Sequence, residues 1–160
     1  MSGVQGPVSA IRTAVPADLP ELQRVYRAAS LSNPGDAPAL LARPEFLLFA
    51  GDGVAGGDTR LAVAGAEGGA TILGFATVTV RGAGDPELDD LFVDPRWQRQ
   101  GVARRLVEDA VGTVRASGQQ RLWVTGNLHA LAFYRAVGFV GDEPVATDLG
   151  AGLRLHLHVS

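Results

Sequence analysis

Hydrophobic positions recur along this chain at two spacings, and each spacing marks a kind of element. Ser9 to Ala14 predicts a short strand. Pro16-Ala-Asp-Leu-Pro then opens a helix in which Leu19, Leu22, Val25 and Tyr26 return at helical intervals through about Ser30. Ser32-Asn-Pro-Gly-Asp is a turn, and Ala37 to Ala42 predicts a second short helix before Pro44. Glu45 to Ala50 is apolar, and Gly51 to Asp58 reads as a flexible loop. Thr59–Ala64, Thr71–Arg81 and Glu87–Val93 predict three strands. Gly65-Ala-Glu-Gly-Gly is the hairpin connection between the first two, and Gly82-Ala-Gly-Asp-Pro links to the third.

The clearest helix follows a loop over Asp94–Gly101. Val102, Leu106, Val107, Ala110, Val111 and Val114 give it one apolar stripe, and Gly118 suits the position just past its end. Arg121–Thr125 predicts a strand and His129–Ala136 a short helix closed by Gly138-Phe139. In the last strand Leu153, Leu155, Leu157 and Val159 face one way, while Arg154, His156 and His158 face the other. No internal repeat is visible. The order β-α-α-β-β-β-α-β-α-β(-β) is mixed α/β, with antiparallel hairpins first and a parallel crossover later. One domain over 9–160 is expected after a flexible tail over 1–8.

Composition removes several chemistries. The 160 residues are 46% hydrophobic and 19% charged, with a net charge of −3, so no global positive field draws nucleic acid or an anionic membrane. All 14 basic residues are arginine. A chain without lysine has no Walker A loop and no Schiff-base chemistry. A chain without cysteine has no disulfide, no thiolate metal site and no acyl-cysteine. The N-terminal stretch lacks a basic region followed by an apolar one, so no signal peptide is expected there. No apolar run approaches the ~20 residues that span a bilayer. The expected compartment is the cytoplasm.

The stretch Leu88 to Arg105 carries the chemistry. A strand ends, a loop with Gly101 turns, and a helix begins with Arg104 and Arg105 in its first turns and Arg99 just before them. Helix N-termini favour acidic residues, yet none appears here before Glu108. An anion among the arginines, a phosphate or pyrophosphate, accounts for this. A solvated basic helix start accounts for it equally well.

Gln98-Arg-Gln-Gly-Val-Ala103 resembles the Gln/Arg-x-x-Gly-x-Gly/Ala motif of the GNAT acetyltransferase superfamily. Leu91-Phe-Val-Asp-Pro95 looks like the strand end that precedes it, and Asn127-x-x-Ala-x-x-Phe-Tyr-x-x-x-Gly-Phe139 resembles the family's second signature. The resemblance covers residues 87–139 well and the first half by element order alone.

It implies a GNAT fold: a mixed, mostly antiparallel central sheet, splayed between its two middle parallel strands and flanked by about four helices. It implies acetyl-CoA as cosubstrate, with its pyrophosphate on the loop and helix start at Gln98, Arg99, Gln100, Gly101, Val102, Ala103 and Arg104. It implies a pantetheine arm along Leu91, Phe92 and Val93, with an N–H near Leu91 donating to the thioester carbonyl. Asn127 would contact that arm, and Tyr134 would lie near the sulfur. The activity implied is N-acetylation of a small-molecule or peptide amine by direct attack in a ternary complex. No metal, nucleic acid or membrane is implied, and homodimers are common in such proteins. A non-catalytic acetyl-CoA-binding or sensor module of the same fold is the alternative. A Rossmann site is not supported, because no Gly-x-Gly-x-x-Gly follows an early strand.

Tyr134 is the candidate acid: a tyrosine near pKa ~10 stays protonated beside a thiol near ~8.5. Glu87, eleven residues before Gln98, is the candidate base. Asp89 shares its strand face and Asp90 does not. A solvated strand end is the plainer reading of all three, and ordered water the plainer base. His156-x-His158 lacks a third metal ligand in the pattern, the pattern gives no role to His129, Trp97 and Trp123 could line a cleft but more often simply pack, and Asn127 is also a good helix cap. On the acceptor side, about 18–47 and the late loops at 141–152, Glu21, Asp36, Glu45, Asp142 and Glu143 are available to attract a cationic amine.

Overall fold

A computed structural model describes residues 6–65, 70–80 and 84–159. Residues 1–5 of the expected tail, the hairpin connection at 66–69, Arg81 with Gly82 and Ala83, and Ser160 lie outside the described residues.

The elements run β1 (Ala10–Thr13), α1 (Leu19–Leu31), α2 (Ala37–Ala42), α3 (Asp52–Ala55), β2 (Thr59–Ala64), β3 (Thr71–Thr79), β4 (Glu87–Val93), α4 (Val102–Ala116), β5 (Arg121–Asn127), α5 (Leu131–Ala136), β6 (Val140–Thr147) and β7 (Gly150–His158). Short 3-10 turns stand at Pro16–Asp18, Pro44–Leu47 and Pro95–Trp97. The strands form one mixed sheet in the order β1-β2-β3-β4-β5-β7-β6, with β4 and β5 parallel. The chain divides into two compact units: the residues up to Thr77 with Asp90–Leu106, and Val78–Asp89 with Val107 onward.

In the first unit β1 runs antiparallel to β2, and β2 to β3, with a bulge at Ala62/Val63. Leu22, Val25, Leu61, Val63, Ile72 and Phe75 form its core, with Leu19, Tyr26, Phe49 and Phe92 packed against it. Fully burying side chains such as Leu22 and Phe75 contributes about 1.5–3 kcal/mol each. The loop expected over 51–58 contains α3 instead. Gly51, at φ 77°, reverses the chain into this single turn, which buries Val54 in the core. One turn is too short to show a period, so the sequence pattern conceals it. Gly53 lies against the buried Thr59–Thr77 hydroxyl pair, where a Cβ would sit 2.5 Å from Thr59 Oγ1.

In the second unit β5 pairs antiparallel with β7, and β7 with β6. Glu87 at the start of β4 stands opposite Trp123 of β5, and the Trp123 amide donates to the Pro86 carbonyl at 2.9 Å. The late loops expected over 141–152 are a β-hairpin. Its edge strand β6 carries Gly141 at φ 125° and Pro144 and has little apolar alternation, so its sequence imitates a loop. The helix expected from His129 begins at Leu131; residues 128–130, His129 included, form a turn. At the end of α4 the Gln119 amide donates to the Val114 carbonyl and the Gly118 amide to Arg115, closing the helix with Gly118 at φ 82°, as its position predicts.

Candidate active site

β4 passes to α4 through a segment whose first residue is its anchor. The Asp94 amide donates to the Leu73 carbonyl of β3 at 2.8 Å. Its carboxylate, 1% exposed, accepts from the Arg96 amide at 3.0 Å, Arg96 Nη2 at 2.9 Å and Arg24 Nη2 at 2.8 Å. Burial by itself would raise the Asp94 pKa, but the hydrogen bonds from Arg96 and Arg24 outweigh it and hold the carboxyl at about 2. Arg24 also donates to Glu21 at 2.7 and 2.9 Å, and these bonds raise its own pKa further.

Beyond this turn Arg99 adopts φ 63° and Gly101 φ 86°. Arg99 is the only non-glycine with positive φ among the described residues. For a residue with a Cβ, such backbone strain is of order 1–3 kcal/mol. Interleaving left-handed with ordinary residues is the pattern that gathers successive N–H groups around an anion. A Cβ on Gly101 would meet nothing within 4 Å, so it is the backbone conformation that calls for glycine. The Arg105 amide donates to the Gly101 carbonyl at 3.0 Å and starts α4, whose first turn holds no acidic residue. Arg99, Gln100, Gly101 and Arg104 are exposed, Ala103 is half-buried and Val102 is buried. Gln98 Nε2 donates to Ser32 Oγ at 3.4 Å. A helix start preceded by exposed residues, with arginines beside it and no acidic residue in its first turn, fits a pyrophosphate.

Leu91, Phe92 and Val93 are half-buried. The Phe92 ring packs edge-on to Tyr26 at 4.8 Å and lies 5.6 Å from Phe75. A Cβ on Gly74 of β3 would lie 2.6 Å from the Phe92 carbonyl oxygen, so glycine is what lets these two backbones approach.

Glu87, Asn127 and Tyr134 belong to the second unit. Tyr134 is 8% exposed; its ring lies over the backbone of Gly126 and edge-on to Phe133 and Phe139. Burial pushes its pKa up to about 12. No described side-chain oxygen is buried without a hydrogen-bond partner. Asn127 is exposed, and its Oδ1 accepts from the Ala130 amide at 2.9 Å, so it caps the turn before α5. Both Glu87 oxygens accept from Arg154, at 2.5 and 2.6 Å. Arg154 also donates to Thr125 Oγ1 at 3.2 Å and lies 5.0 Å over the Trp123 ring.

The remaining sequence candidates have ordinary surroundings. Asp89 accepts from Thr79 Oγ1 at 2.5 Å, and the negative charge of Asp90 adds to burial in raising the Tyr26 pKa. Glu21 and Glu45 are paired with Arg24 and Arg43. His156 stacks on Trp123 at 4.8 Å, and no group of three possible metal ligands occurs among the described residues. Sequence reasoning missed Arg24, Arg154 and the anchoring role of Asp94. Asp-Pro after a strand is a turn signal that points to Asp94, whereas nothing local points to the two arginines.

The model of the Acetyltransferase (GNAT) family matches residues 22–139, and the chain belongs to this family. It is similar to N-alpha-acetyltransferase RimI of Mycobacterium tuberculosis strain H37Rv, with 36% identity over 78 residues, 47% of this chain. The matched stretch spans 49% of that curated relative, about half its length. Solved structures share the fold. A GCN5-related N-acetyltransferase from Rhodopseudomonas palustris superposes with a TM-score of 0.73 at 18% identity, over 98% of this chain and 99% of that one. A PaiA N-acetyltransferase from Thermoplasma acidophilum, solved in complex with coenzyme A, gives 0.67 at 18%, over 93% and 98%. The ribosomal-protein-S18-alanine N-acetyltransferase of Escherichia coli gives 0.65 at 22%, over 94% of each chain. No described helix is long and apolar enough to cross a membrane.

Proposed function

We propose that this chain transfers an acetyl group from acetyl-CoA to the amine of a peptide or small-molecule acceptor by direct attack in a ternary complex. The observation that carries the reading is the loop ahead of α4, with Arg99 and Gly101 left-handed and no acidic residue in the first helical turn.

When bound, acetyl-CoA supplies the activated thioester. The amides over 99–104, with the Arg99 and Arg104 side chains beside them, hold the pyrophosphate. The backbone of Leu91–Val93 holds the pantetheine arm, and the Leu91 amide donates to the thioester carbonyl as negative charge develops there. Asn127 contacts the arm. Burial keeps Tyr134 protonated before the reaction; it donates that proton to the departing sulfur and takes another from solvent to complete the cycle. The acceptor loses its proton to Glu87 directly or through a water; each Glu87 oxygen keeps a further lone pair beside its bond to Arg154. With no cysteine in the chain, no acyl-cysteine forms. The names of the Mycobacterium and Escherichia relatives describe enzymes acting on α-amines, which makes peptide N-termini the first acceptors to screen.

The test is thermal unfolding with and without acetyl-CoA, followed by release of free CoA thiol with peptide amines. At ~100 times its Kd, acetyl-CoA adds about 2.7 kcal/mol of stability. Gly101→Glu loses that gain because it adds a negative charge, whereas Gly101→Ala carries only the backbone strain and keeps most of it. Tyr134→Phe lowers kcat by about 10²-fold. Unchanged kcat in that variant removes Tyr134 from the mechanism, and binding without release for every amine leaves a non-catalytic CoA module.

A further inference from the structure

We infer that Arg24 of α1 is a positioning residue for the phosphate loop, acting through Asp94. This rests on the reading of residues 98–104 as the pyrophosphate site.

The loop holds a strained residue, Arg99, and strained backbone persists only where its surroundings over-determine it. Within the first unit the restraints can be named. Gln98 reaches Ser32 at 3.4 Å, which is long for a hydrogen bond. Asp94, at the loop's origin, is held far more tightly. Its own amide is fixed to Leu73, and its carboxylate takes three donors at 2.8–3.0 Å. Two of those donors belong to Arg96, two residues away, and can only shape the turn itself. The third is Arg24, seventy positions earlier, on a separate helix. Arg24 is therefore the side chain that ties the origin of the loop to α1.

Arg24 is itself splinted. Its Nε and Nη2 bond the two oxygens of Glu21, one helical turn earlier, at 2.9 and 2.7 Å. A guanidinium fixed in this way has already lost most of its rotamer freedom, so it meets Asp94 at little further entropic expense. The sharing also answers an electrostatic need. Asp94 is 1% exposed, whereas Arg24 and Arg96 are 42% and 65% exposed, so a buried anion depends on two largely solvated cations. Without Arg24, Asp94 keeps a local turn and loses its link to the helix. The fraction of molecules with the loop in its binding conformation then falls, and apparent affinity falls by the same factor.

The test is calorimetric titration of coenzyme A into the full-length protein at pH 7, with each variant shown by denaturant titration to be folded at that temperature. Arg24→Met is expected to weaken CoA binding about 10-fold. Arg24→Lys recovers part of this through one bond to Asp94. Asp94→Asn also weakens binding, and the Arg24→Met/Asp94→Asn double variant falls no more than about twofold below the weaker single one, because both act on one restraint. An unchanged Kd in Arg24→Met, with binding still abolished by Gly101→Glu, overturns the inference and leaves the phosphate reading standing. Fully additive losses overturn it too, since they mean that Arg24 touches CoA directly. Absence of CoA binding in the unaltered protein brings down the phosphate reading itself.

Discussion

Glu87 and Asp94 stand at opposite ends of β4, and each is met by arginine, but their situations differ. Asp94 is 1% exposed and takes a backbone amide as well as two guanidinium groups. Glu87 is 22% exposed and takes one guanidinium in a two-pronged pair. The first carboxylate shapes backbone, capping the turn that follows it while also holding Arg24. The second holds a side chain, and it stays accessible to water. An acid at the end of a β-strand thus does one of two jobs, and burial decides which.

The sharpest way to break this contrast is Asp94→Ala. It strips a partner from the Arg96 amide and from Arg24, and should destabilise the protein by about 2–3 kcal/mol in urea unfolding. A loss under about 0.5 kcal/mol would mean that Asp94 is no more structural than Glu87.

Acidification gives the next largest effect. Native Asp94 titrates at about 2, below its ordinary 3.8, so the unfolded chain takes up the proton first as pH falls. The stability due to this group is whole above roughly pH 5 and disappears as pH falls toward 2, about 2 kcal/mol in all. Denaturant midpoints measured from pH 6 down to 3 should show the decline, and Asp94→Asn should flatten it.

The smallest effect belongs to the half-buried Glu87–Arg154 pair. A double-mutant cycle on Glu87→Gln and Arg154→Met should give a coupling of about 1 kcal/mol. A coupling above that of Asp94 with Arg24 would invert the comparison.

The legibility of these features in the sequence follows the same line. Elements with a full period were plain: α1, α2, β2 and β4 fall where apolar spacing places them, and Gly118 ends α4 as its position predicts. The signature residues stood out because Gly101 and the arginines around it break the usual helix-start preference. The failures came where local pattern carries little information. α3 is a single turn with one buried residue, Val54, and β6 is an edge strand with a proline. Arg24 and Arg154 were invisible because their partners, Asp94 and Glu87, lie 70 and 67 positions away. No spacing rule reaches across such distances; topology creates those pairs.

The outermost strands of the sheet bear on how the protein behaves in a crowded solution. β1 is four residues long, and its Arg12 is paired with Asp18. β6 places Asp142, Glu143 and Pro144 in succession, and a proline has no amide hydrogen to offer a neighbouring chain. Charged, short or proline-bearing margins make poor templates for a foreign strand. Such margins disfavour pairing between the sheets of two copies of this protein.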